Sequence, residues 1–138
     1  MSLIGTIRNC PGGITPWNSW LTCEESVLKA SDEIGRNHGY VFEVPANTAS
    51  LVKAKPILEM GRFNHEAAAV DPHTNIIYLT EDRNDSLLYR FIPKTPNDSY
   101  AGGHLQALAI IQDAKFDTHN WDTVTMQMGK VMRQSGLT

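Results

Sequence analysis

The sequence predicts an all-β fold, part of a β-propeller, because one strand pattern is repeated. An aromatic residue followed by Leu and Thr precedes acidic residues twice, at 20–25 and 78–82. Further strand patterns surround each copy in the same order, which indicates two units of four antiparallel strands, at about 5–60 and 63–112. A repeat of about 50 residues with four strands per unit is typical of a propeller blade.

In the first unit, each predicted strand is a short apolar run bounded by Gly, Pro or polar residues. The four runs are 6–12, 20–25, 39–45 and 55–60. The polar insert 26–38 separates the second run from the third. Within it, residues 27–30 favour a short helix.

In the second unit, four similar runs follow one another, and the connection 94–103 is predicted to be a long loop. The runs are 65–71, 78–82, 86–93 and 104–111. The alanines of the first run favour a helix by propensity, but its place in the repeat predicts a strand. Residues 113–138 begin a third unit. A propeller closes with about four to eight blades, so we expect a single partial domain cut from a longer protein.

The composition limits the possible functions. The 138 residues are 41% hydrophobic, enough for a core, and carry a net charge of −3 without a basic stripe, which argues against nucleic-acid binding. The sequence contains no apolar run of membrane-spanning length. It contains no signal peptide either, and in a fragment that says little about the parent protein.

The two cysteines have different predicted roles. Cys23 lies in the middle of a predicted strand, where a thiol packs as a small hydrophobic group. Cys10 lies at a strand end that runs into the turn 11–13, where a thiolate can face a cleft and bind a metal. A disulfide between Cys10 and Cys23 stays open as an alternative.

Paired carboxylates end both repeated strands, and adjacent carboxylates repel each other unless they face water or a cation. A further carboxylate, Glu66, lies at the entry of a predicted inner strand. Clustered carboxylates suit hard cations such as Ca²⁺, and the loop 82–86 has the alternating oxygens of a calcium loop, although ordinary turns share that composition. The residues alone therefore predict a metal-binding piece of a propeller and assign no catalytic acid or base.

Segments 9–17 and 19–25 resemble the opening signature of the PhoX-type bacterial alkaline phosphatases. Further similar segments follow in the same order, and together they cover most of residues 5–122. They are 38–44, 60–63, 65–72, 78–82, 105–108 and 117–121. Two departures are Asn18, where the family usually has Gly, and Pro11, where it often has Ala.

The resemblance implies a β-propeller that hydrolyses phosphate monoesters at a site holding Ca²⁺ and a pair of Fe³⁺ ions, with a cysteine thiolate among the iron ligands. By motif, Cys10 is the implied thiolate, Glu25 an iron ligand with Glu24 as the alternative, and Glu66 a further ligand. The remaining implied metal-site carboxylates are Glu81 and Asp82. We expect Glu24 or Glu25, Glu66 and Glu81 to converge with Cys10 on one edge.

The resemblance also implies export through the twin-arginine route, and thus a periplasmic or secreted parent protein. The expected partners are a phosphate monoester and the remaining blades, without which the isolated fragment is expected to be inactive. Two alternatives stay open: a calcium-dependent propeller hydrolase of the lactonase type and a non-catalytic binding scaffold. Cys10 discriminates, because neither alternative needs a thiolate ligand.

Overall fold

The described part of the chain is a single mixed β-sheet. The computed structural model describes residues 2–111, 113, 115–129 and 131–137. Its strands are β1 (Asn9–Ile14), β2 (Ser19–Glu24), β3 (Val41–Pro45), β4 (His65–Val70), β5 (Ile77–Glu81), β6 (Tyr89–Thr95), β7 (Asp98–Ile110) and β8 (Gln134–Leu137). Only one short 3-10 helix, Leu58–Met60, accompanies them in these residues, so the all-β prediction is confirmed. The order across the sheet is β3-β2-β1-β4-β5-β6-β7-β8.

The sheet consists of two antiparallel groups, β1–β3 and β4–β8, that meet along one short seam. At this seam β1 runs parallel to β4, with Gly12 opposite Ala67. The backbones approach so closely that a Cβ at Gly13 would overlap the carbonyl oxygen of Ala68. Glycine is therefore required at position 13 for the two groups to touch.

The repeat seen in the sequence reappears as a repeated β-bulge. In both groups, two residues of the first strand lie opposite one residue of the second. The pairs that frame the bulges are Cys10–Cys23 with Gly13–Leu21, and His65–Glu81 with Ala68–Leu79. A bulge bends its strand and redirects a side chain. Glu66 lies inside the second bulge, at the position that Pro11 takes in the first.

A second contact joins the two groups through the Glu43 carboxylate of β3. Glu43 accepts hydrogen bonds from Trp17 Nε1 and Ser19 Oγ, both at 2.6 Å, within its own group. It also accepts one from Ser99 Oγ of β7, in the other group. This half-buried carboxylate therefore holds the two groups in one arrangement.

The core lies where the apolar faces of the two groups meet. Leu21 of β2 and Leu79 of β5, the leucines of the repeated pattern, are both fully buried. Burying a leucine side chain contributes about 1.5–3 kcal/mol. The other buried members are Cys23, Val41, Ile57, Met60, Ala68, Ile77 and Phe91.

The alanine-containing segment His65–Val70 is strand β4, as the repeat predicts. The predicted strand 55–60 is wrong. Pro56 lacks a backbone donor, and the segment makes one strand-like bond, from Ile57 N–H to the Val41 carbonyl at 2.9 Å, before it ends in the 3-10 helix. Ile57 and Met60 are nevertheless buried, so their apolar pattern reflects burial and not strand pairing.

Two further local predictions are wrong. Residues 27–30 form no helix. The Val27 and Leu28 carbonyls accept hydrogen bonds from Arg62 Nη2, at 2.6 and 3.1 Å, and not from the backbone N–H groups of a helical turn. The predicted loop 94–103 is a tight hairpin in which Thr95 pairs with Asp98. Asn97 supplies the turn with φ of 60°, a conformation that Asn adopts readily.

At the far edge of the sheet, β8 pairs with β7 along Ala107–Ile110. That residues 113–138 begin a third unit stays a prediction. Among the described residues, no helix has the length and apolar character needed to cross a bilayer.

Candidate metal centre

Three side chains from separate parts of the chain converge beside the seam between the two groups. Cys10 comes from β1, Glu25 from the residue after β2, and Glu66 from the bulge of β4. Each offers one ligand atom, and these atoms all lie within 4.8 Å of one another. Cys10 Sγ lies 3.2 Å from Glu25 Oε2. We call these three residues the cluster.

Strand geometry explains the convergence. Cys10 lies opposite Cys23 in the antiparallel pair of β1 and β2, so the two side chains share a face. Glu25 follows Cys23 by two positions and returns to that face. Its N–H also donates to the Arg8 carbonyl at 3.1 Å, which extends the pairing past the end of β2. Glu66 arrives from β4 because the seam places the two bulges side by side.

Without a cation, the cluster keeps its thiol protonated. Burial, the hydrogen bond to Glu25 and the charge of Glu66 raise the pKa of Cys10 to about 11. The pKa of Glu25 is lowered by its hydrogen bond to Arg8 first, and then by those to Cys10 and Asp82. A bound metal reverses the preference of the thiol, because coordination deprotonates it.

The donor set fits a transition-metal ion. One thiolate and two carboxylates carry three negative charges, which matches a trivalent cation. Calcium prefers oxygen ligands alone, so the sulfur of Cys10 favours a transition-metal ion over calcium at this position. The cysteines are both free, and the disulfide alternative is excluded even though Cys10 and Cys23 are paired across the strands.

Glu24 lies outside the cluster. It is fully buried, and four protein donors saturate its two oxygens. They are Ile7 N–H at 3.2 Å, His38 Nδ1 at 2.7 Å, Gly39 N–H at 2.8 Å and Tyr40 N–H at 3.2 Å. The carboxylate thereby joins the segment before β1 to the segment that enters β3. Its oxygens are occupied by structural hydrogen bonds.

The carboxylates of the second repeat, Glu81 and Asp82, are not part of the cluster. Asp82 is exposed and close enough to Glu25 to lower the pKa of that carboxyl. Glu81 accepts a hydrogen bond from the Tyr89 hydroxyl at 3.2 Å. Burial first, and then the charge of Glu81, raise the pKa of Tyr89 to about 12, so this hydroxyl remains a donor. The structure thus brings Asp82 next to Glu25, whereas Glu81 is bonded to Tyr89.

Sequence reasoning missed Arg8. Its Nη2 lies 3.0 Å from Glu25 Oε2, while 66% of its side chain stays exposed. The available signal was an arginine two positions before the candidate thiol. Its backbone has φ of 46°, in the left-handed region that few side chains adopt, and no sequence pattern announced that.

His65 also had no assigned role. It is fully buried, stacks on Phe63 with ring centroids 3.6 Å apart, and has its Nε2 3.3 Å from the Gly61 carbonyl. Burial lowers its pKa to about 4, so the ring is neutral at neutral pH. In the repeated bulge it occupies the position equivalent to Cys10, but it serves as packing for the strand that carries Glu66.

Comparisons with known proteins identify a family and a solved structure to which this chain is similar. The family model described as alkaline phosphatase PhoX matches residues 1–136. A similar solved structure is that of Pseudomonas fluorescens PhoX in complex with vanadate, a transition state analogue. It is 20% identical with a TM-score of 0.58, and the match covers 76% of this chain and 27% of that chain. This chain therefore spans less than a third of that protein. A search of curated proteins finds no significant match.

Proposed function

We propose that this chain, which belongs to the PhoX alkaline phosphatase family, is part of a metal-dependent enzyme that hydrolyses phosphate monoesters. The observation that carries the proposal is the convergence of Cys10, Glu25 and Glu66 within 4.8 Å. These residues come from three segments that the pairing of β1 with β2 and with β4 holds together. The same residues stand at the positions that the family resemblance implies for metal ligands.

The proposal includes the arrangement of the parent protein. Strands β1–β3 and β4–β7 belong to two neighbouring propeller blades, and the first strands β1 and β4 line the central channel. The match to only 27% of the Pseudomonas protein supports further blades in the complete protein. The family resemblance supports export to the periplasm or the medium.

In this proposal the cluster holds iron, and the carboxylates of Glu81 and Asp82 contribute to calcium binding. Cys10, Glu25 and Glu66 are the iron ligands, with Glu25 preferred to Glu24 because the oxygens of Glu24 are already saturated. Asp82, and Glu81 behind it, supply oxygens of the kind that calcium prefers. When bound, the cations supply charge that neutralises the phosphate dianion and stabilises the attacking and leaving oxygens.

The protein side chains set the conditions for that chemistry. The carboxylates of Glu25, Glu66 and Asp82 would repel a phosphate dianion if no cation balanced them. Arg8 offsets part of this negative charge through its contact with Glu25 at 3.0 Å. The cluster therefore needs its cations before it can accept a substrate, and metal binding precedes phosphate binding.

The thiol argues against the alternative functions. A calcium-dependent lactonase-type site uses oxygen ligands, so the sulfur of Cys10 has no place in it. A binding scaffold has no need of a thiol and two carboxylates facing one another. The family match also favours a phosphatase over both.

The test is metal analysis and turnover of a phosphate monoester by the complete protein. We expect iron and calcium to copurify with it, and removal of either by a chelator to abolish turnover. We expect the 138-residue chain alone to bind these ions weakly and turn over poorly. Full turnover by a protein free of iron would refute the proposal.

A further inference from the structure

Beside the cluster lies a cleft of about 290 Å³ that shares one wall with it. We call it the Arg8 cleft. Its lining combines a cation, polar groups and two apolar side chains. The lining residues are Arg8, Glu25, Ser26, Val27, Leu28 and Asn64. Glu25 belongs both to this lining and to the cluster, so a molecule in the cleft lies directly beside the proposed metal ions.

Both walls of the cleft are held by hydrogen bonds. On one side, Ile7 N–H bonds to the buried Glu24, and the Arg8 carbonyl accepts from Glu25 N–H at 3.1 Å. These bonds fix the left-handed backbone at Arg8. On the other side, Arg62 Nη2 donates to the carbonyls of Val27 and Leu28. The cleft is therefore preformed, although neither wall is regular secondary structure.

The cleft has a cationic part, formed by Arg8, and an apolar part, formed by Val27 and Leu28. Arg8 keeps 66% of its side chain exposed, and among the described residues its guanidinium pairs with Glu25 alone. A guanidinium carries five donors, so Arg8 retains donors for another anion. Val27 and Leu28 are 39% and 50% exposed and offer an apolar surface. Asn64 adds a buried Oδ1 with no hydrogen-bond partner among the described residues.

We propose that the Arg8 cleft is the substrate subsite, in which Arg8 binds the phosphoryl oxygens and the wall of Val27 and Leu28 receives the leaving group. The inference rests on the proposed phosphatase function and adds a phosphate-binding residue to it. Guanidinium–phosphate bonds are among the stronger hydrogen bonds in proteins. The cleft thus suits a phosphate ester whose alcohol has an apolar face.

The test compares Arg8→Gln and Arg8→Lys with wild type in the complete protein, with Arg133→Gln as control because Arg133 is exposed on the distant β8 side. The probe is inorganic phosphate, as a competitive inhibitor of p-nitrophenyl phosphate hydrolysis. Iron content is measured in parallel. For Arg8→Gln we expect iron to be unchanged, and the inhibition constant and KM to rise about tenfold or more, since hydrogen bonds to charged groups are the stronger ones. Arg8→Lys keeps part of the affinity.

A second variant separates the two parts of the cleft. We expect Leu28→Ala to raise KM for the aryl ester and to leave the inhibition constant of inorganic phosphate unchanged. An unchanged inhibition constant in Arg8→Gln would overturn the proposal. So would loss of iron in that variant, because Arg8 would then serve only to hold Glu25. A wild-type protein without iron or turnover would instead refute the proposed function.

Discussion

Glu24 and Glu25 are adjacent in the chain, but their carboxylates lie in regions of opposite character. Glu24 is fully buried, and four donors from Ile7 and the segment 38–40 surround it. Glu25 is partly exposed and faces the Cys10 thiol and a second carboxylate, with Arg8 as its cationic partner. Hydrogen bonds from the protein therefore compensate the Glu24 carboxylate, whereas the Glu25 carboxylate lies in an excess of negative charge.

This difference separates a structural role from a ligand role. A buried carboxylate is stable when hydrogen bonds replace its lost hydration. Where carboxylates converge with a thiol instead, few protein donors compensate their charge, and in the proposed function a cation does so. Glu24 at the strand end thus fixes the backbone, and Glu25 after it is the proposed ligand.

The largest expected effect is in the cluster. We expect Glu66→Gln in the complete protein to lower phosphomonoester turnover by about a hundredfold or more, since residues that only support metal ligands already cost 10–100-fold. Its unfolding midpoint should stay near that of wild type. Glu59→Gln, at an exposed position, is the matched control. Normal turnover and metal content in Glu66→Gln would remove Glu66 from the site.

For a substitution of Glu24 we expect the opposite outcome, a loss of stability without a loss of metal. Glu24→Gln replaces an acceptor oxygen by an NH₂ group that faces backbone donors, so stability should fall by about 2–3 kcal/mol. Glu33→Gln, at an exposed position, should have little effect. Urea denaturation of the complete protein measures both. If Glu24→Gln kept its stability and lost its metal, Glu24 would be the ligand and the comparison would be reversed.

A smaller effect is expected at the seam that brings the two groups together. Gly13→Ala places a Cβ against the Ala68 carbonyl oxygen, so β1 and β4 must separate, at a cost of about 1–3 kcal/mol. Gly35→Ala is the matched control, because a Cβ there meets nothing within 4 Å. Iron content should fall with Gly13→Ala alone, since the seam sets the distance from Cys10 to Glu66. Unchanged stability and iron content would show that the seam is not needed.

Much of the fold follows from local patterns. The repeat identified β4 as a strand against the propensity of its alanines, because its place among the other strands outweighs propensity. The segment 55–60 was misjudged because burial alone produces an apolar pattern like that of a strand. The hairpin at Asn97 was missed because its tight turn lies inside a polar stretch that resembles a loop.

The site was only partly predictable. Alternation along β2 would have separated Glu25 from Glu24, since Glu25 shares a face with Cys23 and its partner Cys10. The contact between Cys10 and Glu66 depends on the parallel seam, a long-range pairing that no local pattern encodes. Arg8 depends on a left-handed backbone conformation, which the sequence likewise does not announce.

The central claim is that Cys10 is a metal ligand while Cys23, its partner across the strands, is a packing residue. The most direct measurement is iron content of the complete protein carrying Cys10→Ala or Cys23→Ala. We expect Cys10→Ala to lose bound iron and most turnover, because a methyl group cannot replace a thiolate. We expect Cys23→Ala to keep both and to lose about 1 kcal/mol of stability. Full iron content and normal turnover in Cys10→Ala would contradict the account.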